Sequence, residues 1–139
     1  MNWYLIFSAW IVSALSTTGS LFFSEVMMYP PCILCWYQRI CMYPLVVILF
    51  AGLFPADKNA VRFSLPLSII GLLIAVYHNL LYYHILPESV APCRAGISCT
   101  TVQVEWLGFI TIPFLSLLGF ILTTILLVTA WRNFSHENR

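Results

Sequence analysis

Cys32 and Cys35 stand three positions apart, directly behind Pro30-Pro31. Proline suits the first turn of a helix, where its missing N–H costs nothing. The pair is therefore expected where a helix begins, facing unpaired N–H groups and the positive end of the helix dipole. That setting favours the thiolate, which is the nucleophile. Arg39 follows Cys35 by four residues, so it shares a helical face and lies roughly 6 Å deeper along the axis. A permanent cation one turn inside an apolar helix needs a role. The plainer alternatives for the pair are a local structural disulfide or two buried apolar thiols. Covalent haem attachment through C-x-x-C-H is excluded, because Trp36 stands where the histidine would be.

Cys93 and Cys99 flank Arg94-Ala95-Gly96-Ile97-Ser98. That spacing can close a structural staple, and Arg94 would equally favour a Cys93 thiolate. Cys41 lies about 9 Å beyond Cys35 and is rotated away from it, which reads as an inert packing cysteine. His78 and His84 fall on one helical run, about 9 Å apart on different faces, so they cannot ligate one haem. Each is first of all a hydrogen-bonded polar residue of a helix interior. His84, at the outer end, is at the depth of Cys35 and Arg39 and is placed to hydrogen-bond an oxidant. No flavin or nicotinamide signature is present to take electrons from these thiols. A lipid-soluble quinone of the menaquinone or ubiquinone type needs no such motif. It is expected to enter between the outer ends of the second and third helices, with Arg39 stabilising the anionic oxygen that develops.

The elements that must hold these residues are apolar helices. Hydrophobic residues make up 61% of the 139 positions and charged ones only 8%, with a net charge of +1. So much apolar surface calls for lipid as the solvent, and neither a basic patch nor a phosphate-binding loop points to nucleic acid. The chain reads as a single all-α membrane domain, an integral membrane four-helix bundle. Its spans fall at about 3–23, 36–54, 64–86 and 106–131, with external loops at about 24–35 and 87–105. The second span should bend at Pro44. Pro55 to Asn59 reads as a turn, and Arg62 as the close of the following loop. Ser68, Gly71 and Ala75 line one face of the third span, where a neighbour can approach closely. The first span has no basic n-region or clear cleavage site and is read as retained.

Lys58, Arg62, Arg132 and Arg139 fall on the side of both termini, while only Arg39 and Arg94 fall on the other. The N and C termini are therefore expected to be cytoplasmic, and Cys32, Cys35, Cys93 and Cys99 to share the outer, oxidising side.

In combination, Cys32-x-x-Cys35-Trp36-Tyr37-Gln38-Arg39, Tyr83-His84 and Pro92-Cys93-Arg94-Ala95-Gly96-Ile97-Ser98-Cys99 resemble the DsbB family of membrane thiol–disulfide oxidoreductases. Trp106-Leu107-Gly108-Phe109-Ile110-Thr111-Ile112-Pro113 extends the likeness to the family's compact Gram-positive branch, the BdbC type. The resemblance implies a relay of two redox-active disulfides, Cys32–Cys35 and Cys93–Cys99. Cys93 would engage an extracytoplasmic thioredoxin-like thiol oxidase (DsbA- or BdbD-like), and Cys99 would pass electrons to Cys32. Cys35 would meet the quinone beside Arg39 and His84. The Cys93/Cys99 spacing is tighter than in the Gram-negative members. Two readings from other classes compete: an outward-facing cysteine site that binds or transports a metal ion, and a structural membrane assembly factor with two staples.

Overall fold

The computed structural model describes residues 1–28, 32–87, 89, 105, 106 and 110–139. Four helices dominate: α1 (Asn2–Leu21), continued by a π-helical turn at Phe22–Val26, α2 (Ile33–Ala51), α3 (Lys58–Tyr82) and α4 (Ile112–Glu137). Each packs on its neighbours in the chain, and α4 closes back on α1. All four are long and apolar enough to cross a membrane. Leu15, Val47, Leu73 and Ile125 turn outward from mid-helix, where a bundle in water would carry polar groups. The expected all-α membrane bundle is what the chain forms. Beside the helices, the described residues add one short antiparallel ladder, β1 (Glu105–Trp106) with β2 (Ile110–Thr111).

Helix starts follow capping chemistry more closely than the apolar runs do. Asp57 caps α3 by accepting from the N–H of Asn59 at 2.9 Å, so the helix begins at Lys58 and takes in Arg62 and Pro66. The expected turn at Pro55–Asn59 is thus partly the first turn of α3. Thr111 caps α4, accepting from the N–H of Phe114 at 3.4 Å, and Pro113 occupies the first turn. The helix accordingly starts at Ile112 rather than at Trp106. Pro44 lies inside α2, which runs through it.

The core is built from Ile6, Leu45, Leu49, Val61, Phe120 and Leu127, all fully buried. Along α3 the stripe Ser64, Ser68, Gly71, Ala75 is also buried. Its neighbour is α4: Ser68 Oγ and Thr124 Oγ1 are hydrogen-bonded at 2.6 Å. A Cβ on Gly71 would land on the ring of Phe120. Gly71→Ala should therefore cost about 1–3 kcal/mol through overpacking, read as a lower melting temperature in detergent. An unchanged melting temperature would mean that α3 and α4 do not meet there.

Asn79 ties the far ends of these helices together, its Nδ2 donating to the carbonyls of Ala75 at 2.8 Å and Pro113 at 2.9 Å. At the other end, Asn2 Nδ2 donates to Glu137 Oε2 at 3.0 Å, and Lys58 Nζ sits 5.1 Å over the Trp131 ring. Both termini thus lie at one end of the bundle, and the start of α2 lies at the opposite end.

Candidate functional site

Cys32 is the N-cap of α2, with extended backbone (φ −75°, ψ 171°), and its sulfur accepts from the backbone N–H of Cys35 at 3.4 Å. A cap must accept from the first free N–H groups of a helix, and sulfur takes that place here. The two Sγ atoms are 3.0 Å apart as free thiols. Cys32 is held well below the ordinary thiol range. The hydrogen bond from the Cys35 thiol contributes most, and His78 and the Cys35 N–H add to it against the cost of burial.

The two cysteines share one apolar cluster, and Cys35 alone of the pair also borders a cavity. Cys32 packs with Leu34 and Leu81, between α2 and α3. His78 points at it from α3, with Nε2 3.7 Å from Cys32 Sγ. The other ring nitrogen of His78, Nδ1, is 3.1 Å from Gln38 Nε2. Both side chains are buried, His78 to 2% exposure. The ligand atoms of Cys32, Cys35 and His78 lie within 4.8 Å of one another. A soft divalent cation would also take such a set, whereas disulfide formation consumes two of the three.

Cys35 opens instead onto a cavity of about 330 Å³ between α1, α2 and α4. Its walls are Leu15, Thr17 and Ser20 of α1, Cys35, Arg39 and Met42 of α2, and Leu115 and Phe120 of α4. Arg39 is buried at 8% exposure. Its Nε donates to Ser20 Oγ and one Nη to the Ser20 carbonyl, each at 2.9 Å, and its guanidinium lies 5.4 Å from the centre of the Trp36 ring. These partners are neutral, and no described carboxylate pairs with the cation. The charge is thus anchored but not cancelled, on the wall that Cys35 shares. Thr17 adds a buried hydroxyl with no partner among the described residues. An apolar slot with a cation, an unsatisfied hydroxyl and a thiol on its walls fits a quinone ring, whose two carbonyl oxygens accept hydrogen bonds.

The expected neighbours Cys35 and Arg39 thus share one cavity, on the α1/α4 side of α2 rather than between α2 and α3. His84 lies past the end of α3 with φ 57°, exposed and away from that cavity. Cys41 is buried in the main apolar cluster. Cys93, Arg94 and Cys99 lie outside the described residues. His78 is the hydrogen-bonded polar residue of a helix interior that the sequence implies, while its closeness to Cys32, and the places of Gln38, Ser20 and Thr17, are not legible there. A signal for His78 existed: it is the next step of the stripe Ser64, Ser68, Gly71, Ala75, on the face turned into the bundle.

A family model described as disulfide bond formation protein DsbB matches residues 2–130. The chain is 43% identical over 120 residues to disulfide bond formation protein C of Bacillus subtilis (strain 168), covering 86% of this chain and 87% of the relative. It is 41% identical over 129 residues to a probable disulfide formation protein of Metapseudomonas resinovorans, covering 92% and 90%. To a probable disulfide formation protein C of Halalkalibacterium halodurans it is 42% identical over 121 residues, covering 87% and 88%. No solved structure matches.

Proposed function

This chain belongs to the DsbB family of disulfide bond formation proteins, and on that premise we propose that it is a quinone-dependent thiol–disulfide oxidoreductase. It acts as a single membrane domain with cytoplasmic termini, and its paired cysteines face outward. Cys93 and Cys99 accept electrons from an extracytoplasmic thioredoxin-like thiol oxidase and pass them to Cys32 and Cys35. The partner, once reoxidised, can make disulfides in exported proteins.

The observation that carries this reading is the division of the cysteine pair. Cys35 borders an apolar cavity beside an uncancelled cation, while Cys32, buried against Leu34 and Leu81, is not on its wall. In the oxidation, the Cys32–Cys35 dithiol loses two electrons and two protons and an S–S bond forms between sulfurs already 3.0 Å apart. A bound quinone supplies the sink for both electrons and both protons. The chain's own residues do the rest. The apolar walls exclude water, Cys35 presents its sulfur, and Arg39 and Thr17 offer N–H and O–H donors where negative charge gathers on oxygen.

The test is to mix purified, reduced protein with a soluble quinone and dithiothreitol and to follow quinone absorbance. One quinone should be consumed for each disulfide formed. Absence of consumption by protein with intact Cys32 and Cys35 would overturn the reading.

A further inference from the structure

We propose that His78 is a positioning residue for Cys32: held by Gln38 with its proton on Nε2, it donates to the Cys32 thiolate whenever that sulfur leaves a disulfide. The inference rests on the reading of Cys32–Cys35 as the redox pair.

The chain of contacts assigns the protons. Gln38 Nε2 carries only hydrogens, so at 3.1 Å it donates and His78 Nδ1 accepts. The proton of the neutral ring is then on Nε2, the atom 3.7 Å from Cys32 Sγ, within reach for a large sulfur acceptor. Cys32 thereby receives two N–H donors from different helices: its own cap bond from the N–H of Cys35 at 3.4 Å, and His78 from α3. Position 38 suits the task because an amide can turn over. With its oxygen toward Nδ1 it would hold the ring in the other tautomer, leaving Nε2 as an acceptor for the Cys32 S–H. A carboxylate at position 38 would fix one tautomer only.

The step served is the exchange that reduces the pair. An incoming thiolate bonds to Cys32 sulfur as the Cys32–Cys35 bond breaks, and Cys35 leaves with the bonding electrons. The second thiolate of the donor dithiol then bonds to the first donor sulfur and displaces Cys32, which leaves as a thiolate. The donor dithiol has lost two electrons and two protons, and Cys32 and Cys35 have gained them. The departing Cys32 anion is in a dry site packed by Leu34 and Leu81, where a charge without a donor is costly. His78 supplies that donor. Cys35 does not need it, because its own anion faces the cavity and Arg39.

A hydrogen bond to a charged group is worth roughly 10- to 100-fold in an equilibrium or a rate. His78→Phe should move the pH profile for alkylation of reduced Cys32 by iodoacetamide upward by roughly one to two pH units, the same factor expressed in proton concentration. It should lower kcat of dithiothreitol-driven quinone reduction similarly, and leave KM for quinone unchanged, since His78 is not among the residues that line the cavity. His78→Gln, which can place an N–H near Cys32, should restore part of both. Gln38→Leu keeps the histidine and frees its ring, so it should show a smaller loss of the same kind. That variant carries the test if His78→Phe fails to accumulate. An unchanged pH profile of Cys32 alkylation in these variants would overturn the proposal, and so would a raised KM for quinone in His78→Phe with that profile unaltered. Gln38 itself lines the cavity, so Gln38→Leu is read on Cys32 alkylation alone. Failure of the redox reading itself is distinct, because the unmodified protein would then not consume quinone at all.

Discussion

Protein carrying Cys35→Ser should consume no quinone above background, whether the reductant is a thioredoxin-like dithiol or dithiothreitol. Protein carrying both Cys93→Ser and Cys99→Ser should fail with the protein substrate alone and retain quinone consumption driven by dithiothreitol. The asymmetry follows from where the sulfurs lie. Cys35 is the cysteine of the pair that borders the cavity, so without its sulfur no thiol reaches the electron acceptor. Cys32 is turned away into the α2/α3 contact beside His78, and serine at position 35 leaves it no neighbour at 3.0 Å with which to form a disulfide. A small dithiol is expected to reduce the Cys32–Cys35 pair without help from Cys93 and Cys99, so only the protein substrate should depend on those two. Cys41→Ser serves as the control. It removes a thiol from the main apolar cluster and should leave turnover unchanged, with roughly 1 kcal/mol lost through packing. The measurement is quinone absorbance with each reductant in turn. Equal loss of both activities in the Cys93/Cys99 protein would contradict an ordered relay.

Different parts of this arrangement were legible in the sequence to different degrees, for physical reasons. The start of α2 was readable to within a turn. Pro30-Pro31 announce a helix there, but the helix begins at Ile33 with Cys32 as its cap. The prolines thus precede the cap instead of filling the first turn, and capping by sulfur was not legible. The shared face of Cys35 and Arg39 follows from helical period alone, and the two do border one cavity. What lies across from that face depends on which helix packs there, and period does not say. An entry between the outer ends of α2 and α3 puts His84 beside the oxidant, and His84 is exposed beyond the last turn of α3. The polar residue of α3 that reaches the pair is His78, which is not on the wall of the cavity. The stripe Ser68, Gly71, Ala75 marks the buried face of α3, and one step further along it stands that histidine. Ser20 and Thr17 carried no comparable mark. A serine or threonine in an apolar helix usually satisfies itself on a carbonyl one turn back, as Thr18 does on Ala14 at 2.8 Å.

Arg39→Leu should lose quinone-dependent turnover by roughly 10²-fold or more, the usual cost of removing a donor from a site where charge develops on oxygen. The argument rests on what holds the guanidinium. Two of its N–H groups are spent on the side chain and carbonyl of Ser20, and a buried cation with a described carboxylate beside it would have its field largely cancelled. Arg39 has none among the described residues, so the cavity next to Cys35 keeps a net positive wall. Burying a charge this way costs stability, which the bonds to Ser20 and the Trp36 ring partly offset. Because Arg39 also ties α2 to the end of α1, a loss of activity alone would not separate charge from anchoring. Two further variants do. Arg39→Lys keeps the charge but loses the planar fork, and should fall between, mainly through a raised KM for quinone. Ser20→Ala removes one anchor while leaving the cation and the carbonyl bond in place, and should raise KM only a few-fold with kcat near that of the unmodified protein. Steady-state quinone reduction at several quinone concentrations distinguishes these cases, with alkylation of Cys32 and Cys35 as the check on folding. If Arg39→Leu shows unchanged kinetics, or if Ser20→Ala loses as much kcat as Arg39→Leu, the positive wall has no part in the transfer and the arginine is only a strut between α1 and α2.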